Sequence, residues 1–443
     1  MARSIDFLHA IAAQPEEDAP RLIFADWLEE QGDTARAEFI RVQCQLGRME
    51  GCEPGYYALK QREAKLYRAH GDTWSRDIKP WVRYSRFERG GIADVTVTPK
   101  KLEQHGKELF TLAPVQRVKL MMLKSKDIPV LVGLSCLRHV RSLSLGGNEL
   151  TSAELAQLLD SPYLTQVQSL ELEPNYRTES DLTFLTPGRL PQVRELRLTG
   201  RLSIGAWEQL CTSSWLGQVE RLYLRGWLHN DRMQAFTDPT IPATERVLLA
   251  LRPDDTDGLG SLIRSSGLGS LSTLSVDFSN LQDPTAEELA GCGGLGSLTR
   301  LELHSLKLSS RGLQALAGAS FVPRLKHWRL HFAQHTSTSL DEGILALASA
   351  PAGQLRSLAV QNARFVSEQT LILLLSASWA PQVSCWDFHD CSQLKDAFAQ
   401  RVLDTIPAGR LARLDLGGTR VSAVMQKQLR KHFGPHVCTF SAS

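Results

Sequence analysis

Cys385, Asp387, His389 and Cys391 stand at alternate positions near the C-terminus, and they are the residue types from which a nucleophilic site is assembled. A thiol beside an imidazole, with a carboxylate orienting the ring, is the arrangement of cysteine-dependent acyl transfer. The spacing works against it. On a strand, Cys385 and His389 would lie roughly 13 Å apart on one face, too far for a Cys–His pair. Gly-Leu-Gly-Ser occurs three times, from positions 258, 267 and 294, yet no Lys-Ser/Thr follows and no Rossmann-type strand precedes. Turns account for these glycines better than a phosphate cradle. HExxH, GxSxG, P-loop and kinase signatures are absent from the sequence. The chain is expected to bind rather than to catalyse, and no cofactor is implied.

The elements that position such side chains follow from a repeat. Its clearest copy is Val140-Arg-Ser-Leu143-Ser-Leu145-Gly-Gly-Asn148-Glu-Leu150, followed by a helix-like stretch with Leu155, Leu158 and Leu159. The skeleton returns at Val115/Val118/Leu120, Val167/Leu170/Leu172, Val193/Leu196/Leu198 and Val219/Leu222/Leu224. It continues at Leu271/Leu274/Val276, Leu298/Leu301/Leu303, Leu325/Trp328/Leu330, Leu355/Leu358/Val360, Val383/Trp386/Phe388 and Leu411/Leu414/Leu416. Weaker copies sit at Thr244/Val247/Leu249 and Ile92/Val95/Val97. The spacing is about 27 residues, inside the range of about 20–29 for leucine-rich repeats. From about residue 90 to about 435 the chain resembles that family. The resemblance implies an α/β solenoid, a horseshoe with about 13 parallel strands on its concave face. Helix-like returns at Ser152–Leu159, Ser310–Ala317 and Ser367–Leu374 favour the helix-backed variety. No single repeat buries its own apolar face, so neighbours must stack into one core. The asparagine position holds Asn148 and Asn175 but Ser279, Thr419, Cys391 and Ala363 elsewhere. Alanine cannot satisfy backbone groups at that turn, so an irregularity is expected around Ala363.

In each repeat the third, fifth and seventh positions face away from the core and form columns along the sheet. Arg197, Arg221, Tyr223, Arg225 and Arg246 make a basic patch around one aromatic, with Trp227 just beyond on a longer loop. Arg, Tyr and Trp are favoured interface anchors. Glu171 and Glu195 would balance the patch if it is only a solvated face. A second cluster comprises Arg300, Glu302, His304, His327, Arg329, His331, Asp387 and His389. His304 and His331 fall on neighbouring strands and can share a ligand, respond to pH or begin a metal site. Zinc needs three or four converging ligands and Arg329 falls between them, so contact with a partner polypeptide is the expectation and no metal is assigned.

Residues 5–47 have a different texture. Phe7, Leu8, Ile11 and Ala12 form one helical stripe. Asp18 and Pro20 mark the capped start of a second helix through Leu22, Ile23, Phe24, Trp27 and Leu28 to Gly32, and Asp33 can cap a third bearing Ala37, Phe39, Ile40, Cys44 and Leu46. The run Pro20-Arg21-Leu22-Ile23-Phe24-Ala25-Asp26-Trp27-Leu28-Glu29-Glu30-Gln31-Gly32-Asp33, with Arg36-Ala37-Glu38-Phe39-Ile40-Arg41, resembles the bacterial repeat-companion domain that precedes repeat arrays in planctomycete and myxobacterial proteins. The resemblance covers about 45 residues and implies no activity. The expected organisation is a helical domain over 1–48, a connector and N-terminal cap over 49–90, the solenoid over 91–435 and a tail over 436–443.

The bulk properties agree with a binding protein. Fifty basic and 48 acidic side chains leave a net charge of +2, which argues against a nucleic-acid or membrane-surface binder. Eight cysteines without paired spacing read as free thiols of a reducing compartment. Asp6 and His9 interrupt any signal core, and the apolar run Leu371–Leu375 is far too short to span a bilayer, so a cytoplasmic protein is expected. The leading expectation is a scaffold or adaptor that holds a partner polypeptide on its concave face. The alternatives are a sensor or regulatory subunit, such as one of bacterial defence, acting in trans on an effector encoded nearby, or a protease substrate or adaptor exposed at the Trp227–Pro242 loop.

Overall fold

The computed structural model describes residues 2–148, 150–173, 182, 184–186, 188–202, 221–228, 246–250, 272–333 and 339–440, with backbone alone for 2–3, 199–202, 221–228, 246–250, 276–280 and 294. The chain is mixed α/β and divides into two compact units, Met1–Glu50 with Leu59–Val219, and Gly51–Ala58 with Glu220–Ser443. Among the described residues no helix is long and apolar enough to cross a membrane.

The first unit opens with three helices, α1 (Ala2–Ala13), α2 (Ala19–Glu30) and α3 (Thr34–Arg48). Their apolar spacing collects Ile11, Phe24, Ala25, Ala37, Ile40 and Cys44 into one cluster, with Phe7, Trp27 and Leu28 packed against it. Gly32 closes α2 at φ +87°, a left-handed turn that suits glycine. Asp33 caps α3, accepting from the Arg36 N–H at 3.1 Å. Asp18 departs from expectation. It occupies the N-cap position of α2 without a side-chain capping bond, because Arg48 holds its carboxylate at 2.6 Å.

After α4 (Tyr56–Trp74), an antiparallel hairpin of β1 (Tyr84–Glu88) and β2 (Gly91–Val97) turns at Arg89 and Gly90, both at positive φ. Helix α3 grips that turn. Gln43 accepts from the Gly90 N–H and Arg36 donates to the Gly90 carbonyl, each at 2.6 Å. Strands β3 (Arg117–Leu120), β4 (Ser142–Ser144), β5 (Ser169–Leu172) and β6 (Glu195–Leu202) then follow in chain order, all parallel from β2 onward. The register lays Val95, Val118, Leu143, Leu170 and Leu196 side by side in the core. Helices α5 (Pro99–Leu112), α6 (Ile128–Val132) and α7 (Ser152–Leu159) return the chain between strands.

The second unit continues the scheme with β7 (Arg221–Leu228), β8 (Arg246–Ala250), β9 (Thr273–Leu281), β10 (Arg300–Leu306), β11 (His327–Phe332), β12 (Ser357–Gln361), β13 (Cys385–Asp387) and β14 (Arg413–Asp415). Trp227 therefore lies within β7 and not on a loop. The strand runs on past Leu224 to Leu228, and tryptophan is a residue type that favours extended backbone; the rest of the Trp227–Pro242 segment lies outside the described residues. The C-terminal stretch is more than a tail, since β15 (Cys438–Thr439) pairs with β14. The returns are α8 (Asp283–Gly291), α9 (Ser310–Ala317), α10 (Asp341–Ala348), α11 (Glu368–Leu374), α12 (Asp396–Thr405) and α13 (Ala423–Phe433).

Two devices fasten successive repeats. The first is the asparagine position. Asn148 donates to the Leu120 and Leu145 carbonyls at 2.8 and 2.9 Å and accepts from the Leu123 N–H at 2.9 Å. Cys391 plays part of that role by donating its thiol to the Val360 carbonyl at 3.2 Å. The irregularity expected at Ala363 takes a definite form, with the role moved to Asn362, which is left-handed (φ 54°) and donates to the Phe332 carbonyl at 2.8 Å. The second device is a ladder of acids at helix starts. Asp283 accepts from the Ser309 N–H before α9, Asp341 from Ser367 before α11, Glu368 from Lys395 before α12, and Asp396 from Ser422 before α13, at 2.6–2.8 Å. Each carboxylate of one return thus fills the backbone donors that begin a later one.

Candidate functional site

Strand register, not sequence proximity, assembles the second polar cluster. β10 and β11 place Arg300 beside His327 and Glu302 beside Arg329. These four, with His304 and His331, are half-buried, while Leu301, Leu303, Trp328 and Leu330 between them are buried in the layer beneath. Arg300 pairs with Glu302 at 3.3 Å. The His304 and His331 rings meet with centroids 6.0 Å apart.

Asp387 and His389 lie further along, beyond β12, and Gln361 links the two halves. Gln361 stands in register with His331 and donates to Asp387 at 2.8 Å. Asp387 also accepts from the His389 N–H at 3.1 Å. The His389 Nδ1 lies 3.4 Å from Asp415, which accepts from Arg413 at 2.6 Å and from the Gly417 N–H at 3.0 Å. Asp387 and Asp415 are paired in register and only 9% and 4% exposed, so each buried carboxylate is met by donors. The result is a fixed polar network of donors and acceptors on one sheet face.

Cys385 sits in β13, whereas His389 follows the strand's end at Asp387. Burial pushes the Cys385 and Cys391 thiols up to about 12, so both are protonated at neutral pH. The seven described cysteines are free thiols, and Cys211 lies outside the described residues.

The basic patch falls partly outside what is described. Arg197 belongs to the first unit, where its guanidinium pairs with Glu195 at 2.6 Å, the balancing charge noted in the sequence. Arg221, Tyr223, Arg225, Trp227 and Arg246 belong to the second. Their backbones place Arg221 beside Arg246 and Arg225 beside Ala250, but their side chains lie outside the described residues.

The residues that sequence reasoning missed come from far away. Gly51–Ala58, part of the second unit, lies across β13 and β14. Ser384 donates to the Cys52 carbonyl, Cys385 to the Gly51 carbonyl at 3.7 Å, and Arg413 to the Tyr57 hydroxyl at 3.2 Å. The Arg413 guanidinium stands 5.6 Å over the Tyr57 ring, and Cys52, Cys385 and Ala412 form a small buried cluster. Ser384 and Cys52 are 332 residues apart, and no local pattern announces such a pairing. Arg413 and Asp415 fall at the third and fifth positions of the Leu411/Leu414/Leu416 repeat, but nothing in their spacing sets them above the others.

Most charged residues of the N-terminal motif are engaged within their own unit. Arg21 donates to the Glu17 carbonyl at 2.5 Å, and Arg41 ties Asp26 and Glu29 to α3 at 2.7 and 2.6 Å. The Arg36 guanidinium lies 4.7 Å over the rings of both Trp74 and Phe87. Burial pushes its pKa down to about 9, which leaves it charged at neutral pH.

No family model matches the chain, and no curated protein matches it. Among solved structures, the chain is similar to one from the crystal structure of the Rad7 and Elc1 complex in yeast, at 14% identity and a TM-score of 0.49, over 90% of this chain and 91% of that one.

Proposed function

We propose that the chain is a non-enzymatic scaffold, a leucine-rich-repeat array that holds a partner polypeptide on the polar face of β10–β14, with the three N-terminal helices acting as a repeat-companion domain. The observation that carries this reading is the alignment of Arg300, Glu302, His304, His327, Arg329 and His331 in register above a closed apolar layer. Side chains fixed on strands bind without first being ordered, which reduces the entropic cost of recognition. A near-neutral charge of +2 favours a polypeptide over nucleic acid as the occupant.

The test is affinity capture of the tagged chain from its native host, beside one variant carrying Arg329→Glu with His331→Ala and another carrying Arg221→Glu with Tyr223→Ala. A protein held by the wild type is expected to be lost with the first variant. Loss with the second variant alone moves the site to β7–β8, and retention by both refutes the sheet face as the interface. A second reading, a regulatory subunit acting in trans on an effector, is favoured by the Gly51–Ala58 segment, which covers part of the same face.

A further inference from the structure

We infer that Gly51–Ala58, a turn that runs into the first residues of α4, is a displaceable strap, an internal stand-in for a tyrosine-bearing partner segment, and that β13 and β14 are the surface such a segment would take. The inference deepens the scaffold reading and rests on it for the partner, though not for the strap.

The columns themselves give the first reason. His327, Ser357, Cys385 and Arg413 stand side by side in one register. His327 and Ser357 are half-buried, whereas Cys385 is buried, in a cluster shared with Cys52 of the strap. The strap closes what would otherwise be another stretch of open face.

The second reason is the kind of grip. Ser384 and Cys385 offer side-chain donors to two strap carbonyls, and Arg413 offers its guanidinium to a phenol and its ring. Carbonyls are common to every polypeptide, so only the tyrosine is chosen. Such bonds are individually modest in net free energy. Glu53, Pro54 and Gly55 in the middle are exposed, and Gly55 is left-handed (φ +89°).

The third reason is what removal leaves behind. Arg413 keeps Asp415 as its partner at 2.6 Å, and Asp415 keeps the Gly417 N–H, so lifting the strap leaves this charged pair intact. The uncovered face then presents Ser384, Cys385 and Arg413 to an incoming chain.

Native thiols report on opening. Cys52 of the strap and Cys385 beneath it bury each other, whereas Cys391, 0% exposed and bonded to the Val360 carbonyl, lies in the core. The experiment is maleimide labelling of the full chain, resolved by peptide mass spectrometry, in the wild type, Arg413→Ala and Tyr57→Ala. Both variants are expected to label Cys52 and Cys385 at least tenfold faster, with Cys391 unchanged. Unchanged rates, or Cys391 rising alongside, overturn the strap and make the segment a fixed part of the fold. A synthetic peptide of residues 49–59, with Cys52→Ser, is then added to the Tyr57→Ala chain. Slower labelling of Cys385 is expected, and no protection at millimolar peptide overturns β13 and β14 as a peptide surface. Labelling needs no partner, so its failure leaves the face on β10–β11 standing, and failure of the capture experiment leaves the strap standing.

Discussion

At Gly90 the chain leaves no room for a side chain. A Cβ there would lie 2.8 Å from the Ile40 Cα, on backbone already left-handed at φ +85°. Both costs fall on Gly90→Ala, which should lower stability by about 1–3 kcal/mol, seen as a lower urea midpoint at unchanged slope. An unchanged midpoint would show that α3 does not need close contact with the hairpin. Residue by residue, the sequence was most informative where a position recurs. Asn148 and the departure at Ala363 could both be read from spacing. That Asn362 would serve instead could not, because a left-handed residue shifts the side chain's place by one and leaves no trace in the apolar pattern. Asp18 was misread for a related reason. Its type suits an N-cap, but Arg48, 30 positions on, competes for the carboxylate.

Strands and returns were legible because they repeat, so each weak copy borrowed support from its neighbours. The acid ladder was not, since it joins residues in different repeats whose types vary. It makes a pH-dependent contribution. Burial works against charge at Asp341, yet bonds from Ser367 and Thr370 outweigh it and hold the carboxyl below its usual range; bonds from Ser422 do the same at Asp396. A depressed carboxylate stabilises fully above the unfolded pKa near 4 and loses that contribution as pH falls through the folded value. Asp396→Ala should therefore melt below the wild type at pH 7, with the gap narrowing between about pH 5 and about pH 3. A gap that stays constant across that range would mean that Asp396 acts through packing rather than charge. The strap was illegible at this scale, because Gly51–Ala58 has no period and its partners lie at the far end of the sequence.

Across the molecule, parallel strands in chain order make most contacts of a repeat those with its neighbours, the Gly51–Ala58 segment apart, so a local injury should stay local. Arg36→Ala removes a charge from over two rings and a bond to Gly90, a loss of about 1–3 kcal/mol. Hydrogen exchange is expected to rise in α1–α3, β1 and β2 and to stay unchanged in α12 and α13. Faster exchange at both ends would mean that the chain unfolds as one cooperative body. The acid ladder also has a direction. Every carboxylate in it holds the start of a helix that comes later in the chain, never an earlier one. Peeling from the C-terminal end leaves the remaining helix starts of the ladder provided for, whereas loss of an early repeat uncaps the helix it serves. Synthesis runs in the favourable sense: as the chain leaves the ribosome, the acceptor for each helix of the ladder is already made and waiting.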